Sequence, residues 1–155
     1  MNNNKPNHAA SDNARRRSHY PVESQRLRDV GLKVTKPRLK ILELLERRRF
    51  KHMTADDIYR ELNKHGDDMG LATVYRVLNQ FEAVGLVIKH NFEGGQAFYE
   101  LDSGSHHDHM VCIETGKVME FVNEDIERIQ HEIAEKAGYE IEDHSLVIYV
   151  RPKRS

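Results

Sequence analysis

The chain contains very little cysteine, no tryptophan and no long apolar run. Of its 155 residues only Cys112 is a cysteine, which excludes an intrachain disulfide and any site built on a Cys-x-x-Cys pair. No stretch of about 18 apolar residues occurs, so the sequence predicts no membrane span. The N-terminus lacks an apolar signal core, so we expect a cytoplasmic protein with no membrane partner.

The net charge of −1 conceals an uneven distribution of charge. Residues 1–89 carry 18 Lys or Arg against 11 Asp or Glu, whereas residues 90–155 carry 6 against 14. A basic part joined to an acidic, histidine-rich part suggests a polyanion-binding module linked to a cation-binding one. The basic excess alone is weak support for DNA binding, because surface charge also varies by chance.

The N-terminal half reads as a series of helices. Residues 1–20 are rich in asparagine and poor in aliphatic side chains, which predicts a disordered arm. Helix signals follow: Gly31 can end a short helix, Thr35 can cap a second, and a capping box starting at Thr54 can open a third.

A fourth helix is predicted over residues 71–84, followed by two strands at 86–90 and 97–100. Its apolar residues recur at helical spacing and predict one buried stripe. The opposite face presents Ala72, Thr73, Tyr75, Arg76 and Asn79. Such a face suits the major groove, where arginine or asparagine can contact base edges, although it is also ordinary on a protein surface. Helices followed at once by a hairpin predict a winged helix-turn-helix.

Residues 106–109 read His-His-Asp-His and run into an apolar segment typical of a strand. Side chains alternate along a strand, so His106 and Asp108 would face one way, and His107 and His109 the other. Each face then offers half of a metal site. Adjacent histidines in a polar loop are often only solvated, but ten histidines and the acidic residues that follow favour metal binding. Imidazole with carboxylate suits zinc, iron, manganese or nickel.

The predicted fold class is α+β, an N-terminal winged helix-turn-helix domain followed by a small C-terminal α/β domain. The expected limits are 1–20 for the arm, 21–102 for the winged-helix DNA-binding domain and 103–155 for the C-terminal, metal-binding domain. So small a second domain buries little surface alone, so pairing with a second copy, metal binding or both should complete it.

Four motifs together closely resemble one family. They are Gly-Leu-Lys-Val-Thr at 31–35, Gly-Leu-Ala-Thr-Val-Tyr-Arg-Val-Leu at 70–78, His-Asn-Phe-Glu-Gly-Gly at 90–95 and His-His-Asp-His at 106–109. Over roughly residues 22–150 the chain resembles the ferric uptake regulator family of bacterial metal-dependent repressors. The resemblance implies that the C-terminal α/β domain at 103–155 is a dimerisation domain. It also implies a repressor of iron-uptake genes that binds palindromic AT-rich double-stranded DNA as a homodimer, with a tetramer as a further option.

The resemblance also implies the functional residues. The regulatory metal site would use His52, Glu100, His107, His109 and Glu120. A second metal site would use His106, Asp108, Glu127 and His144. DNA contacts would map to Lys33, Ala72, Thr73, Tyr75 and Arg76.

The chain departs from many family members in one respect, since Cys112 is followed three positions later by Thr115. We therefore expect no structural zinc held by four cysteines. Peroxide-sensing relatives tend to have aspartate where this chain has Glu100 and Glu120, which favours Fe(II) as the co-repressor. Zn(II) or Mn(II) should fill the sites in vitro, and a zinc- or manganese-responsive repressor is the alternative.

Two other classes compete with the repressor. His/carboxylate sites also activate water in metal-dependent hydrolases, but the sequence has no His-Glu-x-x-His pair. A metal-buffering protein would not need the winged-helix pattern. We therefore expect a regulator that is not an enzyme and takes no small-molecule substrate.

Overall fold

The computed structural model describes residues 21–48, 52–93 and 95–154, so the predicted arm at 1–20 lies outside the described residues. The chain divides into two compact units. Of the described residues, the first unit contains those up to Ile88 together with Tyr99–Leu101, and the second contains those of Lys89–Phe98 and those from Asp102 onward. Among the described residues, no helix is long and apolar enough to cross a membrane.

The described part of the first unit is mainly helical. Its helices are α1 (Pro21–Asp29), α2 (Lys36–Arg47), α3 (Ala55–Lys64) and α4 (Leu71–Ala83). The predicted start signals are confirmed, since Thr35 caps α2 and Thr54 forms a reciprocal capping box with Asp57 at α3. Gly31 follows α1 with a φ of 78°, a left-handed conformation that costs glycine little.

The apolar faces of these helices form the core of the first unit. The fully buried side chains include Leu27, Ile41, Leu42, Ile58, Val74, Leu78 and Phe81. The stripe predicted on α4 is therefore confirmed at Val74, Leu78 and Phe81. Leu71 is only half-buried, because it is the first residue of the helix and lies at the edge of the core.

Two short strands, β1 (Val87–His90) and β2 (Phe98–Leu101), follow α4 and pair in a two-stranded sheet. An isolated bridge also joins Met53 to Tyr99 through two backbone hydrogen bonds of 3.2 and 2.8 Å. Helices followed by a hairpin are the element order that the sequence predicts for a winged helix.

The second unit contains a three-stranded sheet and one helix among its described residues. Its elements are β3 (Asp108–Cys112), β4 (Val118–Phe121), α5 (Glu124–Lys136) and β5 (Val147–Val150). The strand order is β4-β3-β5, with β4 antiparallel and β5 parallel to β3. Asn123 caps α5 through its Oδ1, which accepts from the N–H groups of Asp125 and Ile126. The α+β class predicted from the sequence is confirmed.

Candidate metal centres and DNA-reading helix

Four side chains of the second unit converge on one point. Each offers an imidazole nitrogen or a carboxylate oxygen, and these atoms all lie within 4.8 Å of one another. The residues are His106, Asp108, Glu127 and His144. They are the four that the resemblance implies for the second metal site, and we call them the four-donor cluster.

The secondary structure explains this convergence. Asp108 is the first residue of β3, Glu127 lies in the first turn of α5, and His144 precedes β5. Parallel pairing aligns the starts of β3 and β5, because the His109 N–H donates to the Leu146 carbonyl oxygen at 3.0 Å. Residues just before or at the start of the two strands are therefore brought together.

The donor atoms of the four-donor cluster are already close. His106 Nε2 lies 3.1 Å from Asp108 Oδ1 and 3.3 Å from Glu127 Oε1. His144 Nε2 lies 3.2 Å from Glu127 Oε2, and the two imidazole ring centroids are 4.1 Å apart. A divalent cation would use the same lone pairs, so only small movements separate this arrangement from a coordination shell.

The burial of the Asp108 carboxylate bears on whether these residues fit a metal. Its side chain is 1% exposed, and its Oδ2 has no hydrogen-bond partner among the described residues. A buried carboxylate oxygen without a partner is costly, and a cation would remove that cost. Imidazole with carboxylate is a donor set for zinc, iron or manganese, so the residues fit a divalent transition metal.

A second set of donors in the same unit lies on the other side of β3, and we call it the three-donor face. It consists of His107, His109 and Glu120. Antiparallel pairing of β3 and β4 places His109 opposite Glu120. His107 Nε2 lies 3.4 Å from Glu120 Oε1, and the rings of His107 and His109 are 5.2 Å apart. The histidines group as the alternation argument predicts, even though β3 begins only at Asp108.

The first unit holds the other two expected regulatory ligands. His52 Nε2 lies 3.0 Å from Glu100 Oε2, and the two side chains are 2% and 3% exposed. The bridge between their chain neighbours, Met53 and Tyr99, explains why these distant residues meet. Tyr99 is the chain neighbour of Glu100, and its burial, together with the nearby charge of Glu82, raises the pKa of its hydroxyl. That His52 and Glu100 hold one ion together with the three-donor face stays a prediction.

Helix α4 presents the expected DNA-contacting residues on its uncovered face. Ala72, Tyr75 and Arg76 are exposed, and Thr73 is half-buried, its hydroxyl accepting from Arg76 Nη2 at 3.1 Å. The exposed Lys33 lies in the loop before α2. Four side chains on the other face of α4 are buried, so the expected DNA-contacting residues lie on the face that is not part of the core.

The lone cysteine lies in β3, where it is 6% exposed. A hydrogen bond from the Thr115 side chain lowers the pKa of Cys112. Thr115 stands where a Cys-x-x-Cys pair would place its second thiol, so this turn offers only one sulfur.

Sequence reasoning missed the residues that surround His109. The His90 ring contacts the ring of His109 at a centroid distance of 4.5 Å. Phe92 and Tyr149 also belong to this region, and the sequence indicates no role for either. No local pattern signals these contacts, because they join separate segments of the second unit.

Helices followed by a hairpin, an exposed face on α4 and clustered imidazole and carboxylate donors are the features expected of a metal-responsive DNA-binding regulator. The comparisons with known proteins agree. The profile of the Ferric uptake regulator family matches residues 29–149. The chain belongs to the ferric uptake regulator family, whose members are metal-responsive transcriptional regulators.

The similarity extends over nearly the whole length of individual relatives. The ferric uptake regulation protein of Pseudomonas aeruginosa is 56% identical over 133 residues, which cover 86% of this chain and 99% of that protein. A structure of the Pseudomonas aeruginosa regulator with manganese is similar with a TM-score of 0.74 and 54% identity, covering 86% of this chain and 99% of that one. The Vibrio cholerae regulator has a TM-score of 0.78 and 49% identity, covering 83% and 98%.

Proposed function

We propose that this chain is a dimeric repressor of iron-uptake genes that binds palindromic AT-rich operators in the cytoplasm when it carries Fe(II). The observation that supports this proposal most strongly is the convergence of four metal-binding side chains in the second unit. One of them, Asp108, has a buried carboxylate oxygen that lacks a hydrogen-bond partner among the described residues. Together with family membership, this supports a protein whose activity depends on a bound divalent metal.

The regulatory site is proposed to use His52, Glu100, His107, His109 and Glu120. Two of these belong to the first unit and three to the second. If side chains from both units bind one ion, that ion favours one arrangement of the units. This arrangement is proposed to be the one that binds DNA. Converting a 1:99 mixture into 99:1 needs about 5.5 kcal/mol of differential binding, which several imidazole and carboxylate bonds can supply.

Fe(II) is proposed as the physiological co-repressor, with zinc or manganese as the alternative effector. Histidine and carboxylate donors accept all three metals, so the donor set alone does not choose among them. Glutamate at positions 100 and 120 favours the iron-responsive branch. The manganese in the similar Pseudomonas aeruginosa structure supports the proposal that Mn(II) or Zn(II) fills these sites in vitro.

DNA contacts are proposed for the outward face of α4 and for the loop before α2. The residues are Lys33, Ala72, Thr73, Tyr75 and Arg76. If Arg76 reads a guanine bidentately, Arg76→Ala should cost about 1–3 kcal/mol and relax specificity at one position. A dimer would place its two reading helices about one DNA turn, roughly 34 Å, or a multiple of that apart.

The second copy is proposed to dock through the C-terminal domain, taken as residues 103–155, with the DNA-binding domain at 21–102. The apolar stripe of α5 is exposed, with Ile129 at 47% and Ile133 at 62%. Such a stripe on a small domain is typical of a surface that another copy covers.

The proposal is tested by measuring operator binding as fluorescence anisotropy under anaerobic conditions. The protein would be titrated onto AT-rich palindromic DNA with Fe(II), Mn(II) or Zn(II), and again after addition of a chelator. Tight binding that requires metal and is reversed by the chelator supports the proposal. Equally tight binding without metal would contradict it.

A further inference from the structure

The turn between β1 and β2 is structurally part of the metal-binding unit. Residues Lys89–Phe98 group with the second unit, although the strand segments that flank them group with the first. A winged-helix hairpin would ordinarily serve only the DNA-binding domain. A role in DNA binding alone therefore does not explain why this turn contacts the rest of the second unit.

Aromatic rings form the first link between this turn and a proposed metal ligand. The rings of His90 and Phe92 stack with centroids 5.4 Å apart and planes inclined by 5°. The His109 ring contacts both, at 4.5 Å from His90 and 5.3 Å from Phe92. Phe92 is 7% exposed and His109 is 5% exposed. The imidazole of His109 is therefore enclosed on one side by rings from the turn.

A hydrogen bond forms the second link. The Glu93 N–H donates to the Tyr149 Oη at 2.7 Å, across 56 positions of sequence. Tyr149 lies on β5, where it is paired with Val111 of β3, the strand that carries His109. The hydroxyl therefore ties the turn to the same sheet that carries the ligand.

These two links lead to one inference, which rests on the regulatory site proposed above. We propose that Tyr149 is a positioning residue for metal binding. Its hydroxyl holds the turn, and the turn holds the rings of His90 and Phe92 against His109. The His109 imidazole is then pre-oriented before any ion arrives. A ligand fixed in this way loses less conformational freedom on binding, and so the site binds metal more tightly.

The first experiment removes the hydroxyl alone. In metal-free Tyr149→Phe protein, the amide of Glu93 should exchange with solvent faster, because its hydrogen-bond acceptor is gone. Metal affinity at the three-donor face should fall about two- to tenfold, the range of one net hydrogen bond. Affinity at the four-donor cluster should not change. Tyr139→Phe, at a tyrosine that is 73% exposed, is the matched control and should change none of these quantities.

A second pair of variants tests the rings. His90→Ala removes the ring and should weaken metal binding at the three-donor face, whereas His90→Phe keeps a ring and should restore it. The d–d spectrum of Co(II) reports the geometry of that site directly. It should broaden or shift in His90→Ala and return towards the native spectrum in His90→Phe.

Three results would overturn the inference. Unchanged Glu93 exchange in Tyr149→Phe would show that the hydrogen bond does not hold the turn. Faster exchange with unchanged metal affinity would show that the turn does not position His109. Loss of binding in His90→Phe equal to that in His90→Ala would make His90 a ligand instead. Amide exchange in the metal-free protein is measured without DNA. It therefore tests the role of Tyr149 even if the repressor proposal fails.

Discussion

Helices α4 and α5 are the same length, 13 residues each, yet they differ in how the chain covers them. Four side chains of α4 are buried, whereas α5 has no buried residue. The buried face of α4 is therefore part of the core of the first unit. The apolar stripe of α5 is exposed in the single chain, with Ile129 at 47% and Ile133 at 62%. This difference is the reason why the dimer surface is proposed at α5 and the DNA contacts at the exposed face of α4.

The largest expected effect is on the stability of the first unit. Phe81 is fully buried on α4, so Phe81→Ala should lower the free energy of unfolding by about 3–5 kcal/mol. Tyr75→Ala, on the exposed face of the same helix, should stay within about 0.5 kcal/mol of the parent chain. Denaturant unfolding followed by circular dichroism measures both. An equal loss of stability in the two variants would contradict the claim that only one face of α4 belongs to the core.

A smaller effect is expected at the stripe of α5, and on association rather than folding. Ile133→Asp places a charge on the proposed dimer surface and should raise the dimer dissociation constant about 30-fold or more, as for a hot-spot residue. His131→Asp, elsewhere on the exposed surface of α5, is the control and should leave association intact. Sedimentation velocity distinguishes them. A dimer unaffected by Ile133→Asp would place the interface elsewhere.

In the second unit, metal binding is expected to depend on single members of the four-donor cluster. His144→Ala removes one member of the four-donor cluster and should weaken metal binding there by at least about 10- to 100-fold, the loss typical even of supporting residues. His65→Ala, at an exposed histidine after α3, should have no effect. Isothermal titration measures both affinities. Affinity should also fall as the pH is lowered, because protons compete with metal for imidazole nitrogen.

The smallest effects are expected at the helix caps. Thr54→Ala in the first unit and Asn123→Ala in the second each remove a side-chain cap, at a cost of about 1 kcal/mol. Because α5 has no buried residue, the second change should appear as faster amide exchange along the helix itself. The first should appear as a lower melting temperature of the whole unit. Indistinguishable exchange patterns would mean that α5 is as well supported as α3.

Much of the architecture could be predicted from local chemistry. Capping residues such as Thr35 and Thr54 identify helix starts, because a side-chain oxygen can satisfy the first backbone N–H groups. Alternation along a strand assigns His106 and Asp108 to one face and His107 and His109 to the other. Both arguments need only neighbouring residues, which is why they succeed.

What the sequence did not predict depends on long-range contacts. Periodicity along a helix can identify an apolar stripe, but it does not show whether the same chain covers that stripe, as at the exposed Ile133 of α5. The ring contacts of His109 with His90 and Phe92, and the bond from Glu93 to Tyr149, depend on how sheet and turn pack. The expected ligand sets are implied only by the family resemblance, because spacing alone does not bring Glu127 or His144 to residues 106–109.

The most direct test of the account is metal-stimulated operator binding by His107→Ala, compared with His131→Ala at an exposed histidine of α5. Anisotropy with operator DNA would be measured with and without Mn(II) for each variant. We expect His131→Ala to retain the full stimulation and His107→Ala to lose it, a change of about 5- to 150-fold for a coupled site. Full stimulation in His107→Ala would contradict the claim that this histidine helps to couple metal binding to DNA reading.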